Sequence, residues 1–369
     1  MASGAVRCWC SHCERSGRTS FITTLSLLRI RSYSAVVSDA LGDPLPPDVQ
    51  VLERDARQHP DSEWCQSRLL CAFCTDELQG HPRRVELILD FIARFPRSSE
   101  AKCPFVHLDP SRTPEAFKSV DALWSRLQSE HPNDPDLAIG HAAFVANDDR
   151  SRAAKILREA IALLPKDAAL WTELGRIAPE PSERLDALQE ARALGSDQPN
   201  LLVWIGRAAV DAGRSDDVFR VGCELRTRAS QTRNTLQSPI AWEDTSRGAW
   251  KRICTALQHS ADRSQLIGAL SQYANEKHWA HTFLGLVAVE HGQLLEAGKH
   301  LLSSSKVWGE HRLSSYGPSV LLARKLCEVG MWKQVEEFLI ACNEFWDDEI
   351  LGDWIQEVRN EQVPDFGDG

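Results

Sequence analysis

From about residue 62 onward, apolar residues recur at i, i+3 and i+4 in blocks of roughly 10 to 16 residues. Clusters of Gly, Pro, Asn and Asp separate the blocks, and the alternation typical of β-strands is almost absent. Apolar residues at that spacing lie on one side of an α-helix, and short connections make consecutive helices antiparallel neighbours. The pattern therefore predicts an all-α chain of antiparallel helix pairs.

One block pair carries small residues at regular positions. It has a Leu-Gly pair at Leu284 and Gly285, alanines at Ala288 and Ala297, and a glycine turn at Gly292. Small residues let two helices approach closely, and a glycine between them can adopt the left-handed conformation of a helix end. A single helix pair cannot bury its apolar side alone, so successive pairs must stack. We therefore expect an α-solenoid.

Five further segments repeat parts of this pattern at a similar phase: residues 66–99, 134–167, 168–201, 199–228 and 316–349. In the third of these, Leu174 and Gly175 are followed by Ala187, Ala191 and Pro199. On a frame of about 34 residues, the copies resemble the tetratricopeptide repeat (TPR). This resemblance covers roughly 230 residues and implies a TPR-like superhelix whose role is to bind proteins.

Some segments depart from the repeat. Gly140 and His141 stand where Leu-Gly is expected, and Pro179 and Pro181 should shorten the first helix of their repeat. A lone helix is predicted at about 115–130, after the irregular residues 98–114. Residues 230–277 fit poorly and contain two predicted helices, at about 244–258 and 262–275.

The sequence suggests four segments. Residues 1–42 form a disordered extension or a targeting segment, 43–231 and 232–359 are TPR-like repeats of one continuing solenoid, and 360–369 are an acidic flexible tail. Residues 1–38 are rich in Arg and Ser with the single acid Glu14, a composition typical of a transit peptide. We expect a cytoplasmic protein, or a mitochondrial one if the source is eukaryotic and this segment is a targeting signal.

Composition narrows the function classes. The net charge of −10 argues against a nucleic-acid partner. No apolar run approaches the roughly 20 residues of a membrane-spanning helix. The chain has an odd number of cysteines, eleven, and six of them lie in predicted helices, which is typical of buried, reduced thiols: Cys71, Cys74, Cys223, Cys254, Cys327 and Cys342.

Few residues suggest chemistry. Cys103, His107 and Asp109 share a loop that could be a metal site or a Cys-His nucleophile, or simply a connector, and no third partner is visible. Other sulfur or imidazole groups are His12 with Cys8, Cys10 and Cys13, the Cys71/Cys74 pair, and the histidines His278, His281 and His291. Packing or surface roles are the simpler interpretation of each. We therefore assign no catalytic residue, metal or cofactor and expect a non-enzymatic protein.

In the family that the chain resembles, the first helices line a concave groove. Transferring its groove positions gives Arg176, Arg207 and Arg324 at one position, and Thr172, Asn200, Val203, Trp279 and Thr282 at others. Arginine pairs bidentately with carboxylates, so a partner with an acidic segment or a C-terminal carboxylate would fit. Alternatively, each arginine pairs with an acid of the adjacent repeat.

A further hypothesis is that the acidic segment after Asn343 folds back and occupies this groove as an internal competitor. The leading function is thus an interaction scaffold or adaptor that holds a peptide or helix of a protein partner. The alternatives are an RNA-binding helical repeat, or a metal- or thiol-dependent protein that uses the Cys103 loop.

Overall fold

The computed structural model describes residues 47–73, 81–103, 106–235, 263–307, 313, 317–346 and 348–367. Within these residues the chain forms fifteen α-helices, a short 3-10 turn at Glu100–Lys102, and no strand. The all-α prediction is therefore confirmed for this part of the chain. The N-terminal extension with its cysteine cluster, Cys74, and the predicted helix at 244–258 lie outside the described residues.

The helices have the following bounds: α1 Pro47–Gln58, α2 Glu63–Ala72, α3 Pro82–Arg94, α4 Pro114–Glu130, α5 Pro135–Val145, α6 Arg150–Leu163, α7 Ala168–Ile177, α8 Pro181–Ala193, α9 Leu201–Asp211, α10 Ser215–Thr235, α11 Arg263–Glu290, α12 Leu294–Ser304, α13 Leu321–Glu328, α14 Trp332–Cys342 and α15 Ile350–Arg359. None of these helices combines the length and hydropathy that a membrane crossing requires. The lone helix predicted at 115–130 is α4.

The chain divides into two compact units, Met1–Ser196 and Asp197–Gly369. The boundary predicted at 231/232 falls inside α10, which is unbroken from Ser215 to Thr235. The units instead separate in the nonhelical connector after α8, where Gly195 has a φ of +82°. A left-handed glycine ends a helix, whereas residues near 231 offer neither Gly nor Pro to interrupt one.

In the first unit, each helix packs against the next one in sequence from α1 to α8, and α5 also packs against α7. One apolar core runs through these contacts, from Val49 in α1 to Ala187 in α8. Aspartate side chains cap α5, α6 and α7, because Asp134, Asp149 and Asp167 accept backbone N–H groups of the first turns. Pro181 is at the N-terminus of α8, and α7 ends at Ile177, which confirms the predicted shortening of α7.

In the second unit, consecutive helices pack from α9 to α15. In addition, α9 packs against α11, α11 against α13, and α12 against α14. The first helix of one pair thus contacts the first helix of the next, and the second helices α12 and α14 do the same. This is the packing expected when helix pairs stack.

Glycines serve two purposes in this packing. At Gly285 of α11, an added Cβ would collide with the Leu322 side chain of α13 and would lie 3.1 Å from Cβ of His300 in α12. At Gly292, φ is +70° and the next backbone N–H, of Gln293, donates to the Ala288 carbonyl over 2.8 Å. The close approach and the left-handed turn predicted from the sequence are both confirmed in this pair.

One predicted helix boundary is wrong. A helix at 262–275 followed by a new first helix at His278 was expected, but α11 is a single helix from Arg263 to Glu290. Residues 274–278 include neither glycine nor proline, and buried apolar residues such as Leu270 and Ala280 lie on both sides of the predicted break. Because nothing interrupts the backbone hydrogen bonds there, the helix continues.

Candidate functional site

Two of the predicted groove residues lie in the first unit, on α7. The Thr172 side chain is buried; its hydroxyl donates to the Ala168 carbonyl over 2.7 Å and lies 3.1 Å from Oγ of Ser196. Arg176 is 36% exposed at its side chain and pairs with Glu173 of the same helix at 2.8 Å. Thr172 is thus a packing residue, whereas Arg176 is accessible and has a local acidic partner. That ion pair lies within one helix, not between adjacent repeats.

Three groove candidates of the second unit are buried. Asn200, Val203 and Thr282 are 7%, 6% and 1% exposed. The Asn275 amide donates to Oδ1 of Asn200 over 3.3 Å, and the Thr282 hydroxyl donates to the His278 carbonyl over 2.9 Å. The groove positions of the repeat predict that these side chains line a groove, whereas Asn200 and Thr282 hydrogen-bond inside the helix stack and Val203 is buried there. Position along a repeat does not specify the rotation of a helix about its axis, because the helices packed against it decide that rotation.

Arg207 and Trp279 form a pair on the surface of adjacent first helices. Arg207 of α9 is exposed, and its guanidinium carbon lies 5.8 Å from the centroid of the Trp279 ring on α11. The Trp279 ring is half-buried and lies 5.3 Å from the ring of Phe283. A guanidinium over an indole is favourable, because the ring face attracts the cation. The pair offers an aromatic surface and a cation side by side.

Arg324 on α13 contacts the end of the chain. Its guanidinium donates to the backbone carbonyl of Gly367. The preceding residues Pro364 and Phe366 are buried, and the Phe366 ring meets Trp354 of α15 edge-to-face with centroids 5.0 Å apart. The tail was expected to be flexible, but these contacts hold residues 364–367 against the second unit. In the sequence, the sign of this contact is that Pro364 and Phe366 are apolar within an otherwise acidic segment.

The histidines of the second unit form two separate arrangements. His278 is fully buried, and its Nδ1–H donates to the Ser304 carbonyl over 3.0 Å while Nε2 accepts the Ser319 N–H over 2.9 Å. Burial lowers the pKa of His278 to about 4. Both ring nitrogens of this histidine are therefore used in holding α11 to the segments around α12 and α13. His291 lies in the exposed turn after α11.

His281 instead meets His300 of α12, with their Nδ1 atoms 2.8 Å apart. Burial, followed by the charges of His300, Lys277 and Arg226, lowers the pKa of His281 to about 4. One ring donates and the other accepts in such a contact. The same positive surroundings disfavour a metal cation, so this pair is a packing contact between the two helices.

In the loop that contains Cys103, the side chains of His107 and Asp109 each have a hydrogen-bonding partner elsewhere than Cys103. Nε2 of His107 lies 3.0 Å from Oδ2 of Asp148, and the Asp109 carboxylate accepts the N–H and O–H groups of Ser111 over 2.8 and 2.6 Å. Cys103 is buried. The described residues contain no group of three or more potential metal ligands. These contacts fit a connector that leads into α4.

The described part of the chain contains six cysteines and no disulfide, and Cys103, Cys327 and Cys342 are buried. Burial raises the pKa of Cys327 to about 11 and raises that of Cys342 well above its ordinary value. A thiol is nucleophilic as the thiolate, which burial disfavours. The interpretation of these cysteines as reduced packing residues agrees with the structure.

A polar network at the start of the repeats was missed by the sequence analysis. His141 is buried on α5, and its Nε2 lies 2.9 Å from Oδ1 of Asp121 on α4, while Nδ1 lies 2.9 Å from Oε1 of Gln128. Arg152 of α6 donates to both oxygens of Asp121 over 2.6 and 2.8 Å. The pKa of Asp121 is lowered because the hydrogen bonds from Arg152 and His141 outweigh burial. The network joins three helices and explains why a histidine replaces the expected glycine.

We expect Asp121→Ala to lower the free energy of unfolding by about 1–3 kcal/mol, because it leaves the buried His141 ring and the Arg152 guanidinium without their acceptor. Asp90→Ala is the matched control, since Asp90 pairs with Arg94 of its own helix at the exposed surface. That control should cost at most about 1 kcal/mol. Urea unfolding followed by circular dichroism measures both, and equal effects would contradict a stabilising network.

Similarity to known proteins is found among solved structures. No protein-family model matches the chain, and no curated protein matches it. Among solved structures, a match is found to the TPR domain of P58(IPK), with 11% identity, coverage of 85% of this chain and 92% of that chain, and a TM-score of 0.19. The helix contacts themselves establish the all-α fold of stacked helix pairs, and in this arrangement the chain resembles the TPR proteins.

Proposed function

We propose that this protein is a non-enzymatic interaction scaffold that binds a peptide or helix of a protein partner along the first helices of its second unit. The observation that carries the proposal is the order of α9, α11 and α13, each of which packs against the next. Arg207, Trp279 and Arg324 come from these three successive helices and are at least partly accessible. Repeated helices of this kind provide extended surfaces for partners.

The chemistry of these side chains supports a peptide ligand. Tryptophan and arginine are the residues most enriched among those that dominate binding energies at interfaces. Arginine donates to carboxylates and to backbone carbonyls, and Arg324 donates to the carbonyl of Gly367 in this structure. A partner segment that carries an acidic residue or a C-terminal carboxylate would complement Arg207 and Arg324.

The test compares capture of partners by the wild-type chain and by the Arg207→Ala/Arg324→Ala variant. A captured protein is then purified and titrated against both. We expect the double variant to bind at least about tenfold more weakly, since each charge-assisted hydrogen bond to the partner contributes about 1.5–3 kcal/mol.

The matched control removes two other arginines, Arg57 and Arg112, which are 73% and 82% exposed at their side chains. Each pairs with an acid three or four residues away. The change in net charge is the same as in the test variant, because both variants lose two arginines. Wild-type affinity is expected for this control. Equal affinities of all three chains for the purified partner would refute the proposed surface.

A further inference from the structure

Residues 363–367 form a nonhelical segment with two buried side chains. Pro364 and Phe366 are buried, with Phe366 4% exposed, whereas Val363 is 48% exposed and Asp365 is exposed. The Phe366 N–H donates to the Pro364 carbonyl over 2.9 Å, which closes a tight turn centred on Asp365, and the Gly367 N–H donates to Oδ1 of Asp365 over 3.1 Å. The segment therefore docks through the two side chains that flank this turn and leaves Asp365 exposed.

The surface that receives Phe366 is aromatic. Phe366 contacts Trp354 edge-to-face at an interplanar angle of 75°, and the Trp354 ring lies 5.7 Å from that of Trp346. Gly317 leaves room for Trp346, because a Cβ at this glycine would lie 2.7 Å from the indole ring. Edge-to-face aromatic contacts add to the gain from apolar burial. We call the surface formed by Trp346 and Trp354 the tryptophan pocket.

Arg324 completes this pocket on its polar side. It donates to the carbonyl of Gly367, which is the residue after Phe366 in the chain, and Gly367 itself is exposed. A hydrogen bond to a backbone carbonyl is independent of the side chain that the ligand carries at that position. The arrangement thus recognises an apolar side chain, then an aromatic one two residues later, and then a main-chain or terminal oxygen.

We propose that the tryptophan pocket with Arg324 is a peptide-binding subsite of the scaffold, which residues 364–367 occupy as an intramolecular ligand. The proposal rests on the proposed function and names its ligand: a peptide that carries proline, any residue, then phenylalanine or another aromatic residue, with a tight turn at the middle residue. A carbonyl or carboxylate follows the aromatic residue and binds Arg324. A partner of this kind must displace the segment of the chain itself.

The contacts of α15 show why displacement is feasible. Leu351, Trp354 and Val358 of this helix are buried, so α15 has its own apolar contacts apart from the segment that follows it. Only Pro364 and Phe366 of the segment add to that burial. A pocket that is open a tenth of the time binds an external ligand about tenfold more weakly than an unobstructed pocket does.

The probe is a fluorescein-labelled peptide with the sequence of residues 360–369, titrated by anisotropy into full-length chains. Phe366→Ala should bind the peptide at least about tenfold more tightly than the wild type, because its own segment no longer fills the pocket. Adding Arg324→Ala to Phe366→Ala should weaken binding by about tenfold. A control peptide with alanine in place of both the proline and the phenylalanine should not bind.

The proposal is overturned if a folded Phe366→Ala chain binds the probe no more tightly than it binds the control peptide. The segment would then be a fixed part of the fold. If Phe366→Ala unfolds, the same titration is made with Phe366→Leu, and hydrogen exchange is measured on the wild type. Exchange of the amides of residues 363 and 365–367 as slow as that of α15 would also refute a detachable segment. The arginine variants with a purified partner test the scaffold itself, so failure of the peptide alone removes only this inference.

Discussion

Trp124→Ala is expected to lower the free energy of unfolding by about 3–5 kcal/mol. Trp124 is a fully buried side chain in the core of the first unit, and its ring lies directly against Gly140 of α5. Removing the indole leaves a cavity between α4 and α5 that the surrounding helices fill only in part. Urea unfolding followed by circular dichroism measures the change.

The matched control is Trp64→Ala. Trp64 is 64% exposed and lies beside Arg68 at 4.4 Å from its guanidinium carbon, so its removal should cost at most about 1 kcal/mol. Similar losses at the two positions would show that burial of Trp124 is not what stabilises the packing of α4 on α5.

Gly140 provides a second check on the same contact. A Cβ at this position would lie 2.5 Å from the Trp124 ring, so Gly140→Ala should destabilise the wild type by about 1–3 kcal/mol despite its better helix propensity. In the Trp124→Ala background the collision is removed, and the same substitution should be neutral or stabilising by up to about 1 kcal/mol. Additive effects of the two substitutions would contradict direct contact.

The free energy of unfolding is expected to fall as the pH decreases from 7 to 4. Protonation of His278 should account for about 3 kcal/mol of this decrease. The folded-state pKa of His278, about 4, lies below the usual value of 6.5. Its contribution is therefore complete above the unfolded pKa and is lost as the pH falls toward the folded pKa. The Nε2 atom accepts a hydrogen bond from the Ser319 N–H. Protonation of Nε2 would replace this hydrogen bond by two N–H groups that face each other.

The measurement is the free energy of unfolding against pH for wild type, His278→Gln and His131→Gln. His278→Gln should be less stable at pH 7, with a shallower decline toward pH 4, because the titrating ring is gone. A residual decline in the same direction is expected from His281, whose folded-state pKa is also about 4. His131→Gln is the matched control at an exposed position, and its stability at pH 7 should equal that of the wild type. An unchanged slope in His278→Gln would contradict a buried neutral His278.

The helix pairs were predictable because their signals are local. Apolar spacing identified the three pairs from α5 to α10 and the pair of α13 and α14, and glycine marked the turns at Gly213, Gly292 and Gly330, all of which have positive φ. The failure at α11 has the same origin, since a weak match to the repeat was interpreted as a helix end although no residue there stops a helix.

The candidate site was less predictable, because exposure depends on neighbours distant in sequence. Thr172, Asn200, Val203 and Thr282 occupy frame positions like those of the accessible residues, yet contacts with adjacent helices bury them. The polar network of Asp121, His141 and Arg152 links residues up to 31 apart, and each was ordinary in its own segment.

The sequence alone determined that the chain forms helices, where most of them pair, and which glycines make the turns, because backbone hydrogen bonds and conformational preferences act within a few residues. Only the tertiary structure decided which polar residues are buried and that α11 continues as one helix through residue 276. It also decided that Phe366 packs on Trp354 beside Arg324. These outcomes depend on contacts between separate helices, and spacing along one helix does not specify the surface it meets.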